Sequence, residues 1–196
     1  MPQTPLEEKL HLLSTLPKKR QFLDMGAVYK EAGLTPGMIV ADLGCGSGFL
    51  SFKAARIVGD NGLVYAVDVR RDVLGHIEDQ KQDFGIRNLK TVLADLSVQG
   101  STEIPEKSVD LVLLAKIIYQ VSNTDMLFDE ARRILKPEGK VLVIEWKKEK
   151  QPFGPPEEKR VSYADIKKIV RNVGFVIEKD IDAEPYHYGV LLSLGT

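Results

Sequence analysis

Between Met38 and Trp146, short apolar runs alternate with stretches whose apolar residues recur at helical spacing, and this alternation constrains the fold most strongly. Met38–Leu43, Leu63–Val69, Leu89–Leu93, Val109–Leu114 and Val141–Trp146 read as buried strands. Leu50, Ala54, Ile57 and Val58 form one helix face between them, and Val73, Leu74, Ile77 and Phe84 form another. A third helix spans Thr124 to Leu135, with Leu127, Phe128, Ala131, Ile134 and Leu135 on one side, and Lys136-Pro137-Glu138-Gly139 stops it. Strands separated by helices need crossover connections, so the sheet is parallel and carries helices on both faces. The wholly apolar LVLL at 111–114 agrees, because a strand covered on both sides has no polar face.

The flanks extend this core without a clear boundary. Leu6, Leu10 and Leu13 form a helical stripe near the start, and Phe22 to Ala32 form a second one before Gly33 and the turn Thr35-Pro36-Gly37. Residues 147–161 are a Pro- and charge-rich loop over one end of the sheet, and residues 162–173 form a last helix with Ile166, Ile169, Val170 and Val173 inward and Gly174 as its stop. Phe175–Ile181 and Tyr186–Leu194 then make a hairpin, so the last strand is antiparallel. A chain of 196 residues with 43% apolar content holds one sizeable core, which makes residues 1–196 a single domain: 1–35 N-terminal helices, 36–146 core, 147–196 loop, helix and hairpin.

Composition removes several function classes. The net charge of −1 supplies no overall attraction to nucleic acid or acidic membrane. The one cysteine, Cys45, cannot form an intrachain disulfide, and no Cys/His group has zinc-ligand spacing, so no metal is expected and a reducing, cytoplasmic setting fits. No signal-peptide stretch opens the chain and no run approaches the ~20 apolar residues that span a bilayer; a soluble protein without a membrane span is expected.

The chemistry concentrates after the first strand, where VADLGCGSG places Gly44, Gly46 and Gly48 on alternate residues between strand and helix. Backbone without side chains turns sharply there and approaches a ligand closely, beside the free N–H groups of the next helix. A dinucleotide fingerprint spaces its glycines as G-x-G-x-x-G, whereas this turn is G-x-G-x-G and opens with Asp42, whose carboxylate is a poor neighbour for two phosphates. A tight turn packed for its own sake is the plainer alternative.

VADLGCGSG resembles the first motif of class I S-adenosylmethionine-dependent methyltransferases. Further landmarks follow in the family's order: Asp68 closing LVYAVD, Ala94-Asp95-Leu96, VDLVLLAKIIYQV at 109–121 and ILKPEGKVLVIEW at 134–146. The resemblance covers about residues 36–146 and makes that stretch the cofactor-binding core. It implies an α/β, Rossmann-like methyltransferase sandwich: a mostly parallel seven-stranded sheet with an antiparallel last strand and helices on both faces. It also implies S-adenosyl-L-methionine as cofactor and S-adenosyl-L-homocysteine as product. Gly44 and Gly46 would then approach the cofactor, and Asp42 would touch it or orient the glycine turn. Asp68 would bond the ribose hydroxyls; Val69 would cover the adenine; Ala94, Asp95 and Leu96 would bracket it, with the Asp95 carboxylate accepting from the exocyclic amine. Leu114 and Ala115 would lie beside the sulfonium.

The cofactor class carries its own electrophile, so the protein's task is to position the acceptor and exclude water. An Asn/Asp-Pro-Pro-aromatic tetrad, usual for methylation of base amines, is absent; Ala115-Lys116-Ile117-Ile118 stands there. A cysteine-adduct mechanism is disfavoured because Cys45 lies in the glycine turn. Residues 117–121 resemble the segment where ubiquinone/menaquinone-type methyltransferases often carry paired histidines, replaced here by Tyr119 and Gln120. A small-molecule acceptor is therefore expected, with Tyr119 and His187 as the candidate catalytic or acceptor-contacting side chains. Trp146, Phe153, Pro155, Pro156 and Arg160 belong to the candidate lid. The alternatives are an RNA or protein methyltransferase, which requires a basic rim, a non-catalytic S-adenosylmethionine-binding module, and a nicotinamide oxidoreductase, whose glycine spacing is wrong.

Overall fold

In the computed structural model the described residues are 24–151, 154–183 and 185–195. The expectations for Leu6, Leu10, Leu13, Phe22 and Phe153 fall outside them. Helix α1 is Met25–Glu31, and strand β1 (Ile39–Leu43) leads through the glycine turn to α2 (Phe49–Val58). Next come β2 (Leu63–Asp68), α3 (Arg71–Phe84), β3 (Leu89–Leu93), β4 (Val109–Ala115), α4 (Thr124–Ile134) and β5 (Leu135–Trp146). A 3₁₀ turn at Glu157–Lys159, α5 (Tyr163–Asn172), β6 (Phe175–Ile181) and β7 (His187–Leu194) complete the chain. The seven strands form one sheet in the order β3-β2-β1-β4-β5-β7-β6, with β7 antiparallel to both neighbours and the other pairings parallel.

Side-chain alternation divides the core between the two faces of this sheet. Val40, Val64, Leu111, Leu113 and Ala115 pack against α1, α2 and α3. Ala41, Val112, Leu114, Val141 and Val143 pack against α4 and α5. Helices α1, α4 and α5 start where side chains satisfy their free amides: Asp24 accepts from Gly26 N at 3.0 Å, Asn123 from Asp125 N at 3.0 Å, and Ser162 from Asp165 N at 3.1 Å.

Two boundaries differ from the sequence reading. The helix α4 stops at Ile134, and Leu135 already pairs with Val109, so β5 begins six residues before Val141. The ladder then shifts: Leu111 pairs with Lys140, and residues 136–139 bulge outward, where Pro137 has no amide to give and Lys136 reaches Asp110 at 2.6 Å. On α3, Phe84 is exposed, meeting Phe52 edge to face at 5.9 Å between centroids and Arg56 over its ring, so Leu74 and Ile77, with the partly buried Val73, make the packed face.

One buried ion pair ties α4 to the loop before β4. The fully buried Glu130 accepts from Gly100 N at 3.0 Å, from the Thr102 hydroxyl, and from Arg133 Nε and Nη2 at 2.9 and 2.7 Å. Burial pushes its carboxyl upward, but the bonds from Arg133, Thr102 and Gly100 outweigh it and hold the group below the usual glutamate range. Replacing Glu130 with alanine strands these donors and is expected to cost about 3 kcal/mol at pH 7. A lowered folded-state pKa means that this stabilisation is complete above the ordinary glutamate value of about 4.3 and is lost as pH falls through the folded value. Urea unfolding of both proteins at pH 7 and on acidification will check this: the gap must narrow in acid, and a constant gap would show that the charge contributes nothing.

Candidate functional site

Parallel strands end together, so β1, β2, β3 and β4 deliver their following loops to one rim of the sheet. At the end of β1 the chain turns through Gly44 and Gly46 at φ of +81° and +53°, a conformation that side chains resist. The two positions use glycine differently. A Cβ on Gly44 would stand 2.6 Å from Ile117 Cδ1, so its absence lets the loop after β4 close onto the turn. A Cβ on Gly46 would meet no protein atom within 4 Å and would project into open space.

Asp68, at the end of β2, fastens this turn. Its Oδ2 accepts from Gly46 N at 3.0 Å, and its Oδ1 accepts from the backbone amide and Nε of Arg70 at 3.0 and 3.2 Å. Burial opposes ionisation, but the bonds from Arg70 and Gly46 prevail and hold the carboxyl below its ordinary range. The residue is therefore a carboxylate at neutral pH. Nearby, Asp42 is buried and accepts from the Ser51 hydroxyl on α2 at 2.5 Å; burial raises its pKa to about 6 against that bond and the charge of Lys116. Burial, reinforced by Asp42 and Asp68, also pushes the Cys45 thiol far up, so it is no nucleophile.

Two chambers meet at Gly44, Gly46 and Gln120. The first, of about 500 Å³, is bounded by Asp68, Val69, Ala94, Asp95 and Leu96 on one side and by Ile117 and Val121 on the other. Val69 is 61% exposed on its wall, and Asp95 Oδ1 accepts from Ser97 N and Oγ at 2.9 and 2.6 Å. The second, of about 360 Å³, is bounded by Asp42, Phe49, Leu50, Ala115, Lys116, Tyr119, Trp146 and Pro155. Other hollows of comparable size occur between α5 and β6, about 520 Å³, and near Met38 and Lys136, about 650 Å³, but neither includes the glycine turn or Asp68.

The structure therefore brings together Asp42, Gly44, Gly46, Asp68, Val69, Ala94, Asp95, Leu96, Ala115 and Tyr119 around these chambers. It does not bring Leu114 there. Alternation along β4 turns Leu114 to the opposite face from Ala115, and its fully buried side chain packs with Ile118 and the α4 core. Nor does Asp42 bond the glycine turn: its partner is Ser51. His187 borders neither chamber. It pairs with Trp146 across β5 and β7, with ring centroids 4.2 Å apart, and neither ring nitrogen has a hydrogen-bond partner among the described residues. Burial, then Lys116, Lys147 and Arg160, lower its pKa to about 4, so it is neutral at pH 7. Tyr29 is a core residue whose hydroxyl donates to Leu50 O at 3.1 Å.

Two contributors went unread in the sequence, and a third was read only in part. Lys116 borders the second chamber. Glu145, fully buried near the end of β5, accepts from Ile118 N at 2.9 Å and so holds the loop that separates the chambers; burial raises its pKa to about 7. A single acid inside VLVIEW was its available signal. Arg160, recognised only as part of the lid, anchors the loop after β5 by donating to Pro155 O at 2.8 Å and to Lys147 O and Glu149 O at 3.2 and 2.6 Å.

Residues 34–187 match the family model described as a methyltransferase domain. A ubiquinone/menaquinone biosynthesis C-methyltransferase (UbiE) of Shewanella pealeana is 33% identical over 160 residues, covering 80% of this chain and 60% of that protein. The chain thus spans about three fifths of the curated relatives it matches. The crystal structure of a SAM-dependent methyltransferase from Aquifex aeolicus superposes with a TM-score of 0.82 at 26% identity, covering 97% of this chain and 98% of that one. With the expected seven-stranded sheet in place and more than half of its length matched, the chain belongs to the methyltransferase-domain family and carries the class I S-adenosylmethionine-dependent methyltransferase fold.

Proposed function

We propose that this protein transfers a methyl group from S-adenosylmethionine to a small acceptor with a planar apolar body. The observation that carries the reading is the junction of two unlike chambers at Gly44 and Gly46: one bordered by two carboxylates and apolar walls, the other by aromatic side chains. The first suits a nucleoside. Asp68 Oδ2 has one protein donor and can accept another from a ribose hydroxyl; Oδ1 has two, and the Arg70 side chain that supplies one of them is 58% exposed and free to yield. Asp95 Oδ2 is left to accept from the adenine amine, while Val69 and Leu96 supply apolar contact to the ring. The open space at Gly46 is room that a side chain would otherwise take.

S-adenosylmethionine, when bound, supplies the electrophile, a methyl on a positively charged sulfur that an acceptor atom takes by in-line displacement. The chain's own residues position the acceptor and exclude water. Phe49, Leu50, Trp146 and Pro155 offer apolar surface for a flat acceptor, in keeping with the quinone biosynthesis named for the Shewanella relative. Burial and the charge of Glu145 raise the Tyr119 pKa, so its hydroxyl stays protonated and orients the acceptor through a hydrogen bond. His187 acts through Trp146, whose ring it contacts.

Calorimetry with S-adenosylhomocysteine tests the cofactor half of this reading. Asp68→Ala is expected to weaken binding by about 10- to 100-fold, the range for a lost hydrogen bond to a charged group, with Asp68→Asn intermediate; unchanged affinity would remove Asp68 from ribose recognition. For Asp95, the wild-type chain is expected to prefer S-adenosylhomocysteine to its inosine analogue, which lacks the amine. Asp95→Ala must erase that preference, and a preference that survives would end the amine assignment.

A further inference from the structure

We propose that Lys116 selects acceptors that carry an ionised oxygen, by setting its ammonium group against that oxygen in the aromatic chamber. This rests on the reading of that chamber as the acceptor site.

The backbone at Lys116 is held in an unusual state. It follows β4 directly and has φ of +59°, one of three non-glycine residues with positive φ among those described. Such a conformation is unfavourable for a residue with a Cβ and persists only where surrounding bonds enforce it. Here they do: Lys116 N donates to Ile144 O at 2.7 Å, and Lys116 O accepts from Gln120 Nε2 at 2.7 Å. The position is thus locked between β5 and the loop that joins the two chambers.

The ammonium makes no hydrogen bond or ion pair among the described residues. Other lysines of the chain do: Lys136 with Asp110 at 2.6 Å, Lys81 with Glu78 at 2.7 Å, and Lys140 with Glu178. Two carboxyls feel the charge of Lys116, and neither pairs with it: Asp42 bonds Ser51 and Glu145 bonds Ile118 N. Burial raises their pKa values to about 6 and about 7, so near neutrality Glu145 is only partly ionised, while the largely ionised Asp42 is bonded to Ser51 and not to the ammonium. The remaining neighbours include Tyr119, which stays protonated, and His187, which stays neutral. The chamber therefore holds, beside Phe49, Tyr119 and Trp146, a half-buried cation that makes no ion pair among the described residues, and an acceptor's phenolate, enolate or carboxylate completes one. A cationic amine would instead meet two positive charges, the ammonium and the sulfonium. Lys53 does not compete for this role, since its Nζ lies over the Phe49 ring at 4.9 Å.

Trp146 is the only tryptophan in the chain and borders this chamber, so its fluorescence reports what enters. The probes are 4-nitrobenzoate and its neutral isostere 4-nitrobenzamide, both quenchers, titrated into protein saturated with S-adenosylhomocysteine. The wild-type chain is expected to bind the carboxylate about tenfold more tightly than the amide. Lys116→Met, which keeps the same backbone demand, is expected to bring the two within twofold, and Lys116→Arg to restore most of the preference. Equal binding of the two probes by the wild-type chain, binding of neither, or a preference that survives in Lys116→Met would each overturn the proposal. Failure of the wild-type chain to bind S-adenosylhomocysteine would instead overturn the cofactor reading beneath it, and the two failures are read in separate titrations.

Discussion

The hydrogen bond from Gly46 N to Asp68 Oδ2 joins the ends of β1 and β2 at the point where the chain turns away from the sheet. Parallel pairing brings those ends side by side, but it does not dictate how the next loop leaves. The bond does so by using an ionised side chain to satisfy an amide of a turn that has no regular hydrogen-bonding pattern. Once Gly46 is held there, Gly44 presents a bare Cα to Ile117, and the loop after β4 settles against the turn. Both chambers are consequences of that contact, because Gly44 and Gly46 border each of them.

Buried acids are handled in two ways in this molecule, and the difference separates scaffold from site. Glu130 has four donors and is held as a carboxylate, so it fastens α4 to the loop before β4. Asp42 and Glu145 have fewer donors and are pushed toward neutrality, with Glu145 Oε2 left without a hydrogen-bond partner among the described residues. Such incompletely satisfied groups are costly in a core whose only task is packing. Their position under the loop of residues 116–121 places that cost beside the chambers.

Much of this was legible in the residues. The strand runs Leu89–Leu93 and Phe175–Ile181 coincide with observed strands, because period and turn signals are local properties. The glycine turn, Asp68 and Asp95 were legible for a related reason: parallel topology sends strand ends to one rim, so acids at those ends converge. Phe84 and Leu114 show where such reasoning stops. Phe84 lies on the apolar side of its helix, yet its contacts with Phe52 and Arg56 leave it exposed. Leu114 sits one residue before Ala115, and period-two alternation turns it into the opposite layer.

The order of apolar runs and turns in the sequence by itself determined the alternating α/β architecture, the glycine bend and the two acids at strand ends, since each depends on neighbours close along the chain. Only the tertiary structure decided that Asp42 pairs with Ser51, that the His187 ring meets Trp146, and that the Lys116 ammonium borders the second chamber without an ion pair among the described residues. Those outcomes depend on which distant groups share a desolvated space. Burial and charge there are set by the packing of the whole sheet and its helices, so no local pattern of residues encodes them.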